Sequence, residues 1–419
     1  MHSDVIIIGA GLSGLACALR LQQGGLRPRI IEAAPHPGGR IATDERDGFL
    51  LDRGFQVLQT WYPEARRMLD YRTLDLRPFY PGALVRIGDD FHRVSDIWRR
   101  PLQLLEMIRS PVGSFGDKLR LLRLRHHALE GDLEALYARP ESSALEYLAR
   151  FGFSERIIER FFKPFFAGVF FEPELSVSSR AFEFVFRAFA LGDTALPAGG
   201  MRCIPEQLAA RLAPDSIQYG CRVQRLLERQ VLLDQGERLS AQTIIIATEG
   251  AEAARLLGKQ PRPVRGTTCL YFAAPEPPFD GPYLVLDGSG QGPVNSLLCP
   301  SNLSAAYAPS HQALISVNVF GAEQHPDVLE AAVRAQLGTW YGEVVHSWQR
   351  LAVVQLPAAL PVQATPVVAP SQALQIQDWL WVCGEFAAPP SIHWAFASGN
   401  QVAEAVLNTR HSGHIQEPG

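Results

Sequence analysis

The chain has 419 residues, 47% of them hydrophobic and 20% charged, with a formal net charge of −4. That length makes two domains the natural prior, the apolar share is enough for a sizeable core, and the slight acidity gives no global pull toward nucleic acid. Six cysteines stand at 17, 203, 221, 269, 299 and 383 with no Cys-x-x-Cys pair and no Cys/His metal spacing, so free thiols, no metal site and a reducing compartment are expected.

Residues 4–8 form a short β-branched apolar run, the pattern of a buried parallel strand. "GAGLSG" follows, with Gly9, Gly11 and Gly14 in the G-x-G-x-x-G spacing, and Leu12, Leu15, Ala16, Leu19 and Leu21 make a helical stripe. A second apolar run, "PRIIEA", ends in Glu32. Each residue type has a physical task in a dinucleotide site. Gly9 permits the tight turn, Gly11 lets a pyrophosphate approach the backbone, and Gly14 lets helix and strand pack closely. The helix N-terminus stabilises phosphate charge, and Glu32 accepts ribose hydroxyls while repelling a 2′-phosphate. The same apolar run is no signal peptide, because it lacks a basic n-region and is broken by glycines. No stretch of eighteen apolar residues occurs, so no membrane span is expected and the expected location is cytoplasmic.

In "IIEAAPHPGGRIAT" (30–43) Glu32 is followed, after six positions, by Gly38, Gly39 and Arg40. "FLLDRGFQVL" (49–58) carries Asp52, Gly54 and Phe55. Further on, Phe115, Leu119, Leu122, Leu129, Leu133 and Leu136 mark one face of a helix expected over 114–137, with Lys118, Arg120, Arg123 and Arg125 off that face. Such a basic amphipathic helix is ordinarily a surface helix with a solvated face; the alternative is peripheral contact with an anionic membrane, which would place the protein on the inner membrane face. Residues 151–189 hold twelve of the 22 phenylalanines, either a packed helical core or the lining of an apolar pocket. "LPAGGMRCIPEQLAARL" (196–212) is a glycine pair before an amphipathic helix, "IQYGCRVQRLLERQVLL" (217–233) is strand, turn, strand, and "QTIIIATEG" (242–250) is another buried strand. The block 263–369 alternates strand-like runs with one helix at about 327–341, and "LDGSGQGP" (286–293), which imitates a phosphate loop, is expected to be a turn. Near the end a strand reaches Gly384 and Glu385, and a helix starts near Ser391 and Ile392.

The segments 9–14, 32–40, 196–212 and 384–392 together resemble the signatures of the flavin amine oxidase, protoporphyrinogen oxidase and phytoene desaturase superfamily. The resemblance touches residues 4–60, 160–250 and 376–410. It implies an α/β fold: a discontinuous Rossmann-like FAD-binding domain in three segments (1–85, 195–262 and 370–412) with an inserted α+β substrate domain (86–194 and 263–369). A helical cap would occupy 97–194, and 413–419 would be a frayed tail. It also implies non-covalent FAD, with Gly9, Gly11, Leu12, Ser13 and Gly14 at the first turn and Glu32 on the ribose. Gly38, Gly39 and Arg40 would lie near the phosphates; Gly54 and Phe55, beside Asp52, where the chain passes the flavin ring; and the backbone of Val223 against adenine. Gly384 and Glu385 would lie by the pyrophosphate and ribityl chain, and Ile392 at the helix start facing the flavin's pyrimidine edge.

No nucleophile motif, metal cluster or carboxylate pair stands out, so no catalytic residue is assigned and the cofactor is expected to carry the redox chemistry. The resemblance implies an FAD-dependent oxidoreductase that dehydrogenates an apolar small molecule by hydride transfer to flavin N5, as the desaturase and protoporphyrinogen oxidase branches do. Amine oxidases of the superfamily commonly carry a lysine from the second substrate block, and no lysine follows Lys259. Amine oxidase is therefore the second reading, and a flavoprotein that binds lipid or a partner without turnover the third. The pattern departs at Trp394, preceded by His393, where relatives commonly have a small residue. A tryptophan there could crowd the ring, stack on it or reshape substrate access.

Overall fold

The computed structural model describes residues 2–103, 110–367 and 373–414. The first strand, β1 (His2–Ile8), runs parallel to β2 (Pro28–Ile31), and the two are joined by helix α1 (Leu12–Gln23). Ile6 and Ile7 are both fully buried: Ile7 packs in the cluster with α1 and the last helix, and Ile6 in the one with Val223, Val231, Leu233 and Ala253, so the strand reads as a continuous apolar run instead of an alternating one. The parallel core has the order Ile217–Gln218, β2, β1, Arg238–Ile246, Leu380–Val382. An antiparallel extension, Gln230–Leu233 and Val223–Leu227, pairs with the first half of Arg238–Ile246. The last helix, Ile392–His414, packs along α1.

A second, seven-stranded sheet runs Gln349–Pro361, Val264–Ala274, Ala313–Phe320, Val294–Leu298, Leu284–Asp287, Gly82–Ile87, Asp90–Ser95, with one parallel pair, Leu284–Asp287 on Gly82–Ile87. Gly82–Ile87 is one continuous strand of this sheet, so the expected cut between 85 and 86 falls within a strand. Residues 288–293 make the turn between the paired strands Leu284–Asp287 and Val294–Leu298, as expected of "LDGSGQGP". The helix expected at about 327–341 is Pro326–Tyr341. Of the expected tail, 413 and 414 close the last helix and 415–419 lie outside the described residues; the expected domain start at residue 370 does so too.

The cap differs from expectation at its basic helix. In place of one helix over 114–137 there are two, Phe115–Leu129 and Leu133–Ala138. The break is chemical: Gly131 takes φ +67°, and Asp132 caps the second helix by accepting from Ala135 N at 2.8 Å. The face turned inward is also the other one. Asp117, Leu124 and Ala128 are buried, while Phe115, Leu119 and Leu122 point outward. Asp117 is buried because it closes a capping box with Ser114 and accepts from Ser154 N and Oγ. Across the cap the phenylalanines are mainly core. Phe153, Phe162, Phe166, Phe170 and Phe182 pack with Leu124, Leu148 and Leu175, and the Phe166 and Phe182 rings lie 4.5 Å apart. Filling the space between short helices needs large rigid side chains, each worth about 2 to 3 kcal/mol when buried.

Candidate active site

Strand β1 ends in Gly9, whose φ of +104° turns the chain into α1. The N-cap is Gly11, with no side-chain cap and no acid in the first turn, so protein side chains leave the helix's positive end uncovered. Nothing lies within 4 Å of where a Cβ on Gly11 would sit. By contrast a Cβ on Gly14 would come within 2.1 Å of the Gly9 carbonyl oxygen. The two glycines thus do different work: Gly14 closes the packing and Gly11 keeps a space open.

Glu32 is buried and held at both oxygens, by Ala10 N at 2.6 Å and Ala34 N at 2.7 Å. These bonds fix its carboxylate at the carboxyl end of β2 with lone pairs remaining for a ligand. The loop beyond it returns to the first turn: Gly38 bridges Gly11, Gly38 N donates to Ala10 O at 2.8 Å, and a Cβ on Gly39 would lie 3.6 Å from Gly11 Cα. Arg40 pairs with Glu385 and donates to Ala359 O at 2.9 Å; Glu385 also accepts from Gly250 N at 2.5 Å. Gly384, at φ +81°, abuts Ser13, since a Cβ there would be 2.9 Å from Ser13 Oγ. Segments nearly 400 residues apart in sequence therefore meet around one helix N-terminus, and the uncapped turn, the glycine-lined space, the acid and the arginine fit an extended dinucleotide. Val223 joins from the side, through Cys221 N on Glu32 O at 2.9 Å, although its own carbonyl is taken by Arg255.

Gly54 and Phe55 line a small cavity between the hairpin Thr43–Asp52 and the seven-stranded sheet, with Leu50, Gln56, Leu196, Leu298, Pro300 and Ser316. Asp52, Tyr271 and Tyr307 also line it, and sequence reasoning missed both tyrosines. Asp52 accepts from Thr43 Oγ1 at 2.6 Å, Met201 N at 2.9 Å and Tyr307 OH at 2.8 Å, and its carbonyl accepts from Tyr271 OH. Burial pushes its carboxyl above the usual carboxylate range, against the pull of the three donors.

The last helix begins at Ile392, with Ser391 Oγ accepting from Trp394 N at 3.0 Å. Trp394 does not stand free to crowd a ring. Its Nε1 donates to Tyr137 OH at 3.2 Å, edge-on to the Tyr137 ring, and it packs on Phe184 at 5.8 Å. The reason is the cap: its helices supply an aromatic slot that holds the indole and satisfies its N–H. His393 sits in the same cluster against Tyr62 and Phe184, and burial, with some help from Arg67, pulls it from 6.5 down to about 4. A histidine held neutral in the fold costs stability as pH falls: the contribution is complete above 6.5 and is lost as pH drops toward the folded value. His393→Phe is expected to flatten that loss, worth up to about 3 kcal/mol at pH near 4, as read by urea titrations across the acid range. An unchanged slope would show that His393 is not held neutral.

A family model described as flavin containing amine oxidoreductase matches residues 12–407. The chain belongs to that family. The chain is 28% identical over 293 residues to a phytoene dehydrogenase of Streptomyces griseus, covering 61% of this chain and 56% of that protein. It is 31% identical over 87 residues to a coproporphyrinogen III oxidase of Propionibacterium freudenreichii, 21% of this chain and 16% of that protein. The chain thus spans about half the length of the first relative and less of the second. Among solved structures, cyclohexylamine oxidase from Brevibacterium oxydans superposes with a TM-score of 0.72 at 17% identity, covering 98% of this chain and 99% of that one. At that identity the likeness shows the fold alone, a mixed α/β architecture.

Proposed function

We propose that the protein binds FAD non-covalently and dehydrogenates an apolar small molecule at carbon. The supporting observation is the chemistry of the cleft. Its lining mixes Leu50, Phe55, Leu196, Leu298 and Pro300 with Gln56, Ser316 and the two tyrosines, and its acid, Asp52, is already engaged by Thr43, Met201 and Tyr307. A carboxylate so committed is a poor counter-ion for a substrate ammonium. The longer alignment with a phytoene dehydrogenase points the same way.

In this proposal Gly9, Gly11, Leu12, Ser13 and Gly14 present backbone to the pyrophosphate. Glu32 binds ribose, and Gly38 and Gly39 let the backbone come close. Arg40 and Glu385, clasped together, set the phosphate and ribityl region, and Gly384 and Ile392 bring the last helix's positive end to the isoalloxazine. Bound FAD supplies the two-electron redox chemistry. Gly54 and Phe55, with the tyrosines, orient the substrate and exclude water. Cys383 does not attach the cofactor, because burial pushes its thiol up to about 12 and keeps it protonated.

The test is anaerobic mixing of the yellow holoprotein with candidate substrates. Bleaching by a carotenoid precursor or a porphyrinogen, with primary amines inert, is expected. Bleaching by amines alone would make it an amine oxidase, and no bleaching by any of them would leave a binding protein; either result overturns the proposal.

A further inference from the structure

Five of the ten large apolar side chains that stand most exposed among the described residues lie between positions 98 and 122. They are Trp98 at 47% exposure, Leu102 at 94%, Phe115 at 63%, Leu119 at 53% and Leu122 at 40%. Single exposed apolar residues are ordinary, but a cluster on one element is not. Phe115, Leu119 and Leu122 follow the i, i+4, i+7 spacing, so at about 100° per residue they fall within roughly 60° of one another on the helix surface. The opposite side of that helix, with Leu124 and Ala128, is the one that packs on the cap. The helix is thus apolar on both sides, and among the described residues only one side has a partner.

The flanks of the outer stripe are cationic. The helix Phe115–Leu129 carries Lys118, Arg120, Arg123 and Arg125 against a single acid, Asp117, which is buried and serves as its cap. Arg120 lies 3.6 Å from that acid; Arg123 is exposed. The loop holding Trp98 belongs to the same surface, because the Arg125 guanidinium lies 4.4 Å from the centre of the Trp98 ring. Arg99 anchors the loop to the cap through Asp193 at 2.9 Å and Phe189 O at 3.0 Å, so it is a fixed feature. A ridge of Trp, Phe and Leu between arginines matches the interfacial zone of a bilayer, where rings and aliphatic chains enter the acyl boundary and guanidinium groups meet headgroup phosphates. Among the described residues no helix is long and apolar enough to cross a membrane, so such contact would be peripheral.

We propose that Phe115, Leu119 and Leu122, together with Trp98 and flanked by Arg123 and Arg125, form a docking surface for an anionic lipid bilayer. The charge asymmetry selects that occupant over a second copy: the patch presents cations around its rim, and an identical patch facing it would set cation against cation. The inference is independent of which substrate the cleft takes.

The test is co-sedimentation of the FAD-loaded full chain with vesicles of phosphatidylcholine plus phosphatidylglycerol, and of phosphatidylcholine alone. Binding to the anionic vesicles, weakened by salt, is expected. Exchanging Phe115, Leu119 and Leu122 together for Ser should lower partitioning at least about tenfold, and Arg123→Gln roughly fivefold on anionic vesicles only. Retained flavin absorbance and an unchanged Tm certify the fold of each variant, and Val328→Ser, at an exposed apolar site elsewhere, should bind like the wild type. The proposal is overturned by absent vesicle binding, by binding that survives the triple exchange, or by light scattering that shows a wild-type dimer turned monomer by it.

Discussion

Gly14→Ala is expected to give a protein that loses its flavin and at least about 4 kcal/mol of stability, a Tm fall of roughly 10 °C. The added methyl would sit 2.1 Å from the carbonyl oxygen of Gly9 and 3.3 Å from the Ala247 side chain. Neither neighbour can swing aside. Gly9 is tied to Ile31 O through its N–H at 2.8 Å, and Ala247 N is bonded to Ile8 O at 2.9 Å, so relief requires parting the first turn from its own sheet. The informative comparison is Gly11→Ala. Its φ of −70° suits alanine and no atom lies within 4 Å of the new methyl, so the fold should hold within about 1 kcal/mol or gain slightly. Yet the methyl enters the space above the helix N-terminus, so flavin content should fall sharply. Thermal melts and the ratio of flavin to protein absorbance separate the two effects. Equal melting temperatures for the two variants would contradict the packing described for α1.

That contrast also marks what was legible in the sequence. Strand, turn, helix and acid are local features, and their residues fell where the motif spacing put them, because the tight turn at Gly9 and the close packing at Gly14 are set by covalent geometry over a dozen residues. The meeting of Arg40 with Glu385 is not local. It became legible only through resemblance, as did the return of 384–392 to the same helix N-terminus. The basic helix shows the limit of periodicity: the stripe Phe115, Leu119, Leu122 stands out in the sequence, but a helix with two apolar faces gives no sign of which one is covered. Gly131 and Asp132 were a stop and start signal lying within the expected helix. The phenylalanines offered core or pocket, with core ahead for any single ring, and most of them lie in or against the cap's core cluster. Tyr271 and Tyr307 carried no signal at all, since their partner Asp52 is more than two hundred residues away and nothing local in a strand or a short turn foretells a hydrogen bond of that span.

Asp52→Ala is expected to cost about 5 kcal/mol, because it strands three donors in the interior at roughly 1 to 3 kcal/mol each. Thr43 belongs to the hairpin that contains Asp52, Met201 to the segment returning to the cofactor domain, and Tyr307 to the substrate side. The carboxylate therefore joins the two halves of the molecule at the wall of the cleft, and its loss should loosen that wall and slow flavin reduction by substrate. Asp52→Asn is the discriminating partner. Its carbonyl oxygen can keep Thr43 and Met201, and the Tyr307 hydroxyl can turn to accept from the new amide, so the loss should be near 1 kcal/mol. The direction of the Asp52 pKa supports a mild effect. Raised by burial, it makes the folded state hold its proton to higher pH than the unfolded chain does, so its favourable contribution is complete below the ordinary carboxylate range and declines as pH rises through the folded value. Removing the charge with asparagine thus relieves a desolvation cost at neutral pH while keeping the bonds. Denaturant titrations of the two variants decide the matter. If alanine and asparagine destabilise alike, the hydrogen bonds do not hold the cleft, and the buried charge is what the site depends on.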